Sequence, residues 1–263
     1  MVLSLVVGGS ASAQWSTTPS GWETTTQKKT GDANVFSIVY VPPKAEQLKV
    51  WEGFAHGLNL EALATFLNKT FKMPRPLPIV YLQCGTVNAF YTEDKHAILV
   101  CYELMGYFRD LFAPRVKSEA ELQKKIAGAI AFTFLHELGH ALTGELALPI
   151  TGKEEDAADQ LAALILSRSK EMGRESALAA AEWFAIEGQR KQQKGAIVWY
   201  DEHSFDLQRM YDIICTLYGQ DQQSNAGLAR AVSMSEDRAA RCARETPRRL
   251  RAWQELLKPH LRQ

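Results

Sequence analysis

Residues 131–143, AFTFLHELGHALT, carry two histidines and a glutamate inside a run that otherwise has the composition of a buried helix. In an α-helix, residues four apart lie one turn above each other on the same face, so the imidazoles of His136 and His140 can converge on one metal ion. Glu137 would then point at the open side of that ion. A chance pair of surface histidines is the alternative, and the apolar neighbours argue against it. The pattern predicts a site for one Zn²⁺ ion.

A catalytic zinc ion usually takes three protein ligands and leaves its fourth position to water, so a third ligand is needed. The acidic candidates that follow the helix are Glu145, Glu154, Glu155, Asp156 and Asp159. Thr151 and Glu154 have the spacing of a capping box, which predicts that the Glu154 carboxylate bonds to the start of its own helix. Glu155 is therefore the predicted third ligand.

Asp159 follows Glu155 by one helical turn and lies on the same helix face. There it could accept the spare N–H of a ligating histidine and fix the tautomer of the ring. A solvated acidic first turn, favoured by the helix dipole, is the other explanation of this segment.

The first half of the chain alternates strand and helix signals, whereas the second half has mainly helical ones. Runs of β-branched and aromatic residues predict strands over residues 35–41 and 77–83 and a hairpin over residues 88–101. Apolar residues at helical spacing predict helices over residues 45–71, 102–112, 122–142, 152–169, 176–193, 204–218, 226–232, 235–245 and 247–257. These elements predict an α+β fold with a small sheet and a mostly helical C-terminal half.

Three motifs, in this order along the chain, resemble those of the gluzincin metallopeptidases. Residues 88–91, NAFY, resemble the N-A-F segment of thermolysin and its relatives. HELGH is followed by residues 155–159, EDAAD, which are similar to the gluzincin E-x-x-x-D motif and to the E-x-x-A-D form of the CAAX prenyl protease group. With VCYEL and DEHSFDLQR, the whole chain is similar to a bacterial metallopeptidase family still carried as a domain of unknown function.

The resemblance implies a zincin-like α+β fold, in which a small mixed sheet with an edge hairpin packs on the HExxH helix. It also implies that an edge strand pairs with the substrate backbone, and that this strand is formed by Asn88, Ala89, Phe90 and Tyr91. The chain departs from thermolysin in the shorter interval between His140 and Glu155. It also lacks the long membrane-spanning region of the prenyl proteases, so we expect a compact version.

Thermolysin-like enzymes also supply a His or Tyr that stabilises the tetrahedral oxyanion, and in this chain that residue must come from downstream. His203 is the catalytic candidate that the resemblance implies, with Arg209 and Tyr200 behind it. A cap on the helix that follows is an equal explanation of the segment around His203.

Together these features predict a zinc-dependent hydrolase of peptide bonds, acting on a peptide or protein substrate. Glu137 would act as the general base toward a zinc-activated water and pass the proton to the leaving amine. Two alternatives remain: a non-catalytic, zinc-stabilised protein that holds peptides in the same groove, and a zinc hydrolase of non-peptide amides. Glu137 argues against the first, because a structural zinc site needs no base and is normally closed by a fourth ligand.

The charge balance gives no support to a nucleic-acid partner. Lys plus Arg and Asp plus Glu both number 30, so the formal net charge is zero. Acidic residues dilute the basic cluster at residues 238–251, which we expect to be a solvated helix face. No run reaches the roughly eighteen apolar residues that a membrane span needs.

The N-terminal residues have features of an exported protein. Residues 1–13 contain a short apolar run and end in Ala-Ser-Ala, the small-x-small form of a signal-peptidase site, although no basic region precedes the run. Either the start codon is assigned too late or the run is an ordinary apolar tail, and we predict export. Residues 14–33 are expected to be a flexible lead-in, and residues 34–263 a single domain.

The four cysteines fall into two local sets, Cys84 with Cys101 and Cys215 with Cys242. Of the three possible connectivities, the local one is the simplest, because each disulfide would cross-link one supersecondary unit. A structural zinc site made of all four cysteines is the rival, and no C-x-x-C spacing supports it. Disulfides would agree with an exported protein.

Overall fold

A four-stranded mixed sheet begins the fold in the computed structural model, which describes residues 35–196 and 198–262. Its strands are β1 (Phe36–Tyr40), β2 (Leu77–Leu82), β3 (Ala89–Thr92) and β4 (Ala97–Cys101). The spatial order is β1-β2-β4-β3, with β1, β2 and β4 parallel and β3 antiparallel to β4. The predicted signal peptide and lead-in lie outside the described residues.

The two central strands are buried along their whole length, as expected for near-continuous apolar runs such as LPIVYL and AILVC. The two edges of the sheet differ. At β1, the side-chain amide of Asn68 accepts from the Phe36 N–H and donates to the Phe36 carbonyl, both at 2.8 Å. At the other edge, β3 lines a cleft. At one edge, therefore, the Asn68 side chain takes the hydrogen bonds that a neighbouring strand would make, while the other edge lines the cleft.

Helices make up most of the remaining described chain. They are α1 (Lys49–His56), α2 (Leu60–Thr70), α3 (Tyr102–Phe112), α4 (Glu119–Glu145), α5 (Glu154–Arg168), α6 (Lys170–Lys194), α7 (Asp206–Gln220), α8 (Gln222–Ala231) and α9 (Glu236–Leu257). The α+β class, the small mixed sheet and the mostly helical C-terminal half are confirmed at this level of detail.

Helix α4, which carries HELGH, is the central element of the helical part. It begins after Ser118, whose hydroxyl accepts the Glu121 N–H at 3.2 Å, and it runs for 27 residues. Its residues are buried on several faces, because α5 and α6 pack along it and β3 and β4 lie against it. At Gly139 the approach of α5 is so close that an added Cβ would lie 2.9 Å from the Ala158 Cα.

The predicted division of the chain into helices is wrong at two places. The predicted helix over residues 45–71 is interrupted at Asn59, whose φ of 53° is left-handed, so α1 and α2 are separate helices. Conversely, the two helices predicted on either side of Pro247 form one continuous helix, α9. Cys242 and Trp253 are buried on either side of the proline, so tertiary packing holds both halves against the protein.

The two predicted disulfides, Cys84–Cys101 and Cys215–Cys242, are confirmed. The rival zinc site made of four cysteines is wrong, because no cysteine is free. Each cross-link contributes about 3 kcal/mol in the loop-closure picture. Two disulfides indicate an oxidising, exported environment.

None of the helices in the described ranges is long and apolar enough to cross a membrane.

The contact at Gly139 gives a test of the α4–α5 crossing. Alanine favours a helix interior by about 1 kcal/mol over glycine, but the clash with Ala158 forces the two helices apart. We expect Gly139→Ala to destabilise the protein by about 1–3 kcal/mol, measured as a lower Tm. The matched control is Gly227→Ala in α8, where an added Cβ meets nothing within 4 Å. This control should raise the Tm, and an equal rise for Gly139→Ala would contradict the close crossing.

Candidate metal centre

The crossing of α4 and α5 brings the three predicted ligands together. His136 and His140 project from α4, and Glu155 lies in the first turn of α5. The Glu155 Oε2 atom is 3.1 Å from His136 Nε2 and 3.4 Å from His140 Nε2, and the two Nε2 atoms are 3.1 Å apart. His136 is buried, and the other two are half-buried. These residues form a group that could hold a metal ion.

The other nitrogen of each imidazole faces a carboxylate. His136 Nδ1 lies 2.8 Å from Asp159 Oδ1, and His140 Nδ1 lies 2.7 Å from Glu154 Oε1. A carboxylate accepts, so each Nδ1 carries the proton and each neutral ring would present a lone pair at Nε2. Two lone pairs and a carboxylate oxygen then converge on one point, an arrangement that requires a positive charge between them.

Glu155 Oε2 supports this conclusion. The atom is buried, and although three imidazole nitrogens lie close to it, none is aligned for a hydrogen bond. Burial alone raises the pKa of Glu155, but the His136, His140 and His203 imidazoles outweigh it and hold the pKa well below its usual range. The donor set, two imidazoles and one carboxylate, therefore fits a divalent cation.

The electrostatics of His136 agree with a site that favours positive charge. Burial alone would lower the pKa of His136, but Asp159 and Glu155 outweigh it and raise the pKa to about 9. Because ligands bind metals in their deprotonated form, a metal ion would replace protons here.

Asp159 lies in the place predicted for it and is itself held by an arginine. Arg209 Nε is 2.6 Å from Asp159 Oδ2, and Arg209 Nη2 is 2.8 Å from Oδ1. Burial alone raises the pKa of Asp159, but Arg209 and His136 reverse this and bring the pKa to about 2. The guanidinium also lies 4.0 Å from the centre of the Phe184 ring. Asp159 therefore stays ionised as the acceptor for His136.

Glu154 is a partner that the sequence reasoning assigned wrongly. The predicted capping box fails because α5 begins at Glu154 itself, and the residue before it, Lys153, makes no side-chain cap. The Glu154 carboxylate is therefore available to His140. The signal in the sequence was the run of acidic residues at the start of α5, but its spacing did not show which of them would face a histidine.

Glu137 lies between the metal ligands and strand β3. It is buried, and its Oε2 atom accepts the backbone N–H of Tyr91 at 2.8 Å. Burial raises the pKa of Glu137 above its ordinary value, although the two histidines and the Tyr91 N–H oppose the change. A raised pKa suits a group that must take up a proton near neutral pH.

Strand β3 presents part of its backbone to the same space. The Cys101 N–H bonds to the Asn88 carbonyl at 3.1 Å, and Ala89 is paired with Val100. Because the two sides of an antiparallel strand alternate, the backbone groups of Ala89 and Tyr91 point away from β4. Asn88, Ala89, Phe90 and Tyr91 all line the cleft, and their role in substrate binding stays a prediction.

His203 comes to the rim of the centre from the segment between α6 and α7. Its Nε2 atom lies 2.8 Å from Glu155 Oε2, and its ring is stacked on His136 with centroids 6.0 Å apart. Its backbone N–H bonds to Asp201 Oδ1 at 2.9 Å. Tyr200, the alternative candidate, is 91% exposed. The structure places His203 beside the ligands, and its catalytic role stays a prediction.

A cleft of about 1080 Å³ runs past the centre. The cleft is lined by residues of β3, α3, α4, α6 and α7, among them His136 and His140 of α4. Its lining combines apolar side chains such as Leu104 and Phe184 with the polar groups of the centre. A space of this size accommodates an extended chain of several residues.

The two carboxylates behind the imidazoles should not contribute equally to metal affinity. We expect Asp159→Asn to weaken the affinity for Zn²⁺, used as the probe ion, by about 10- to 100-fold, because the histidine loses its ionised partner. The matched change Glu154→Gln should lower the affinity for Zn²⁺ less, because the Glu154 side chain is 49% exposed and water can replace its carboxylate as the acceptor. Competition with a chromophoric chelator measures both affinities. An unchanged affinity in Asp159→Asn would contradict this assignment.

Comparison with known proteins adds an independent finding. No curated protein and no solved structure matches the chain. A family model does match, over residues 40–257, and its description is "Putative metallopeptidase", a family still carried as a domain of unknown function. The match covers most of the sequence and includes the whole of the centre described above. The chain therefore belongs to this metallopeptidase family.

Proposed function

We propose that the protein is a zinc-dependent hydrolase of peptide bonds, with a zincin-like fold of the gluzincin type. The observation that carries the proposal is the convergence of His136, His140 and Glu155 beside a buried glutamate and an edge strand. Membership of a metallopeptidase family supports a metal-dependent peptidase. The two disulfides support a site of action outside the reducing cytoplasm.

The proposal of zinc rests on the donor set. Two imidazoles and one carboxylate are typical of catalytic zinc sites, in which a fourth position stays open. When bound, zinc polarises a carbonyl group and makes water acidic enough to react near neutral pH.

Glu137 is the proposed general base. The Tyr91 N–H holds its Oε2 atom, and Glu137 lines the same cleft as His136 and His140. From there it takes a proton from the attacking water and returns it to the leaving amine. Such a base is expected in a hydrolase and has no use in a structural metal site.

His203 is the proposed donor to the oxyanion. Its imidazole lies at the solvent side of the ligands, where Asp201 binds its backbone N–H and lies 3.3 Å from its Nδ1 atom. A carboxylate at Nδ1 favours a proton at that nitrogen. The proposed donor is an N–H at Nε2, the atom that faces Glu155 Oε2 at 2.8 Å in the protein without substrate.

The proposed substrate is an extended peptide held along β3. The outward backbone groups of Ala89 offer a hydrogen-bond donor and an acceptor to a neighbouring strand. Recognition through the backbone gives affinity with little dependence on sequence. It also favours peptides over other amides, because the pairing needs a repeated N–H and carbonyl pattern.

The decisive variant is Glu137→Gln, which keeps the shape of the side chain and removes the base. We expect it to retain one zinc ion per chain and to lose hydrolysis by a factor of about 10² to 10⁴. The assay is incubation with a denatured-protein mixture, with and without a chelator, followed by mass spectrometry of the new peptide ends. Metal analysis of the same samples gives the zinc content.

The control is Glu119→Gln, at the exposed start of the same helix, which should cleave as the wild type does. If Glu137→Gln cleaves as fast as the wild type, the mechanism is wrong. A wild-type protein that binds zinc and peptides but produces no new ends would favour the non-catalytic alternative.

A further inference from the structure

A group of partly exposed polar side chains surrounds a buried carboxylate at the C-terminal end of α4, away from the metal ligands. Glu145 is at its centre, with a side chain that is only 2% exposed. Its Oε1 atom accepts the Tyr91 hydroxyl at 2.8 Å and lies 2.7 Å from His96 Nδ1, and its Oε2 atom is 3.1 Å from Arg75 Nε. We call Glu145, Tyr91, His96 and Arg75 the Glu145 cluster.

The protonation of His96 follows from its neighbours. Arg75 Nη1 lies 2.9 Å from His96 Nε2, and a guanidinium can only donate, so Nε2 accepts. The proton of the neutral ring is then on Nδ1, where it is donated to Glu145. Arg75, His96 and Glu145 thus form a closed ring of interactions among three separate parts of the chain.

The cluster fixes the turn between β3 and β4. His96 ends this turn with a φ of 49°, a left-handed conformation that is uncommon for residues other than glycine. Its two ring nitrogens hold it there by their contacts with Arg75 and Glu145. A hairpin turn would otherwise be among the more mobile parts of a sheet.

Tyr91 connects the cluster to the metal centre. Its ring lies directly on α4, because a Cβ added at Gly144 would be 3.3 Å from the Tyr91 Cε1 atom. Its hydroxyl bonds to Glu145, and its own backbone N–H bonds to Glu137. One strand residue is therefore attached to α4 at two places, which are about two turns, or roughly 12 Å, apart along the helix.

We propose that Glu145 and the Tyr91 hydroxyl are positioning residues, which hold β3 against α4 so that the Tyr91 N–H keeps the Glu137 carboxylate aimed at the reaction. The catalytic consequence rests on the proposed function. The structural consequence does not, because the bond between the Tyr91 N–H and Glu137 exists whether or not peptides are cleaved.

Hydrogen exchange of the amide at position 91 tests the structural consequence. In Glu145→Gln and in the milder Tyr91→Phe, we expect this amide to exchange up to about tenfold faster, as for the loss of one hydrogen bond. The matched control is Glu182→Gln, which breaks an ion pair between α6 and the N-terminal part of α4 at Lys125. The control should leave the exchange rate of the amide at position 91 unchanged. Unchanged exchange in both cluster variants would overturn the proposal.

Steady-state kinetics tests the catalytic consequence. The assay is run at a temperature at which all variants are folded and loaded with zinc. In each cluster variant kcat should fall by up to about tenfold, and this fold-change should be larger than any fold-increase in KM. The double variant should be slower by less than the product of the two single effects, because both changes weaken the attachment of Tyr91 to Glu145, and Glu145→Gln also removes the charge that faces His96 and Arg75. Wild-type kcat in both variants would overturn the positioning role while the proposed function stands. A wild type that cleaves nothing, together with the expected exchange, would refute the proposed function and leave the attachment of β3 intact.

Discussion

The close crossing of α4 and α5 is the contact on which the candidate site depends. Gly139 lies between the two histidines, and the absence of a side chain there lets the backbone of Ala158 approach. Because Glu155 and Asp159 are on the same helix as Ala158, this single contact brings the third ligand and the acceptor for His136 into range together. The ligand set is thus a property of helix packing rather than of a flexible loop.

Burial of so many charges near one another requires that each has a partner. Each imidazole has its own carboxylate, and Asp159 in turn has Arg209, which is itself covered by Phe184. A carboxylate in such surroundings would otherwise take up a proton to avoid the cost of desolvation. The alternation of opposite charges from Arg209 to the ligands keeps Asp159 ionised and fixes the orientation of the His136 ring.

The sequence predicted those parts of the site that local spacing determines. HELGH and the one-turn interval from Glu155 to Asp159 each depend on the geometry of a single helix. The disulfides could be predicted because each joins two cysteines that are close in the sequence. The sequence could not predict Glu154, because a shift of the helix start changes which way a carboxylate points. The Glu145 cluster was also missed, since its members come from three separate parts of the chain that only the tertiary fold brings together.

Strand β3 is held at both of its ends. Before it, the Cys84–Cys101 disulfide and the Glu103 carboxylate, which accepts the N–H groups of Cys84 and Gly85, hold the incoming loop. After it, the turn is fixed at His96. An open edge strand ordinarily invites pairing with other copies and so aggregation. An edge of only four residues between two fixed ends can admit one short extended chain, and its shortness limits the pairing with other copies from which aggregates grow.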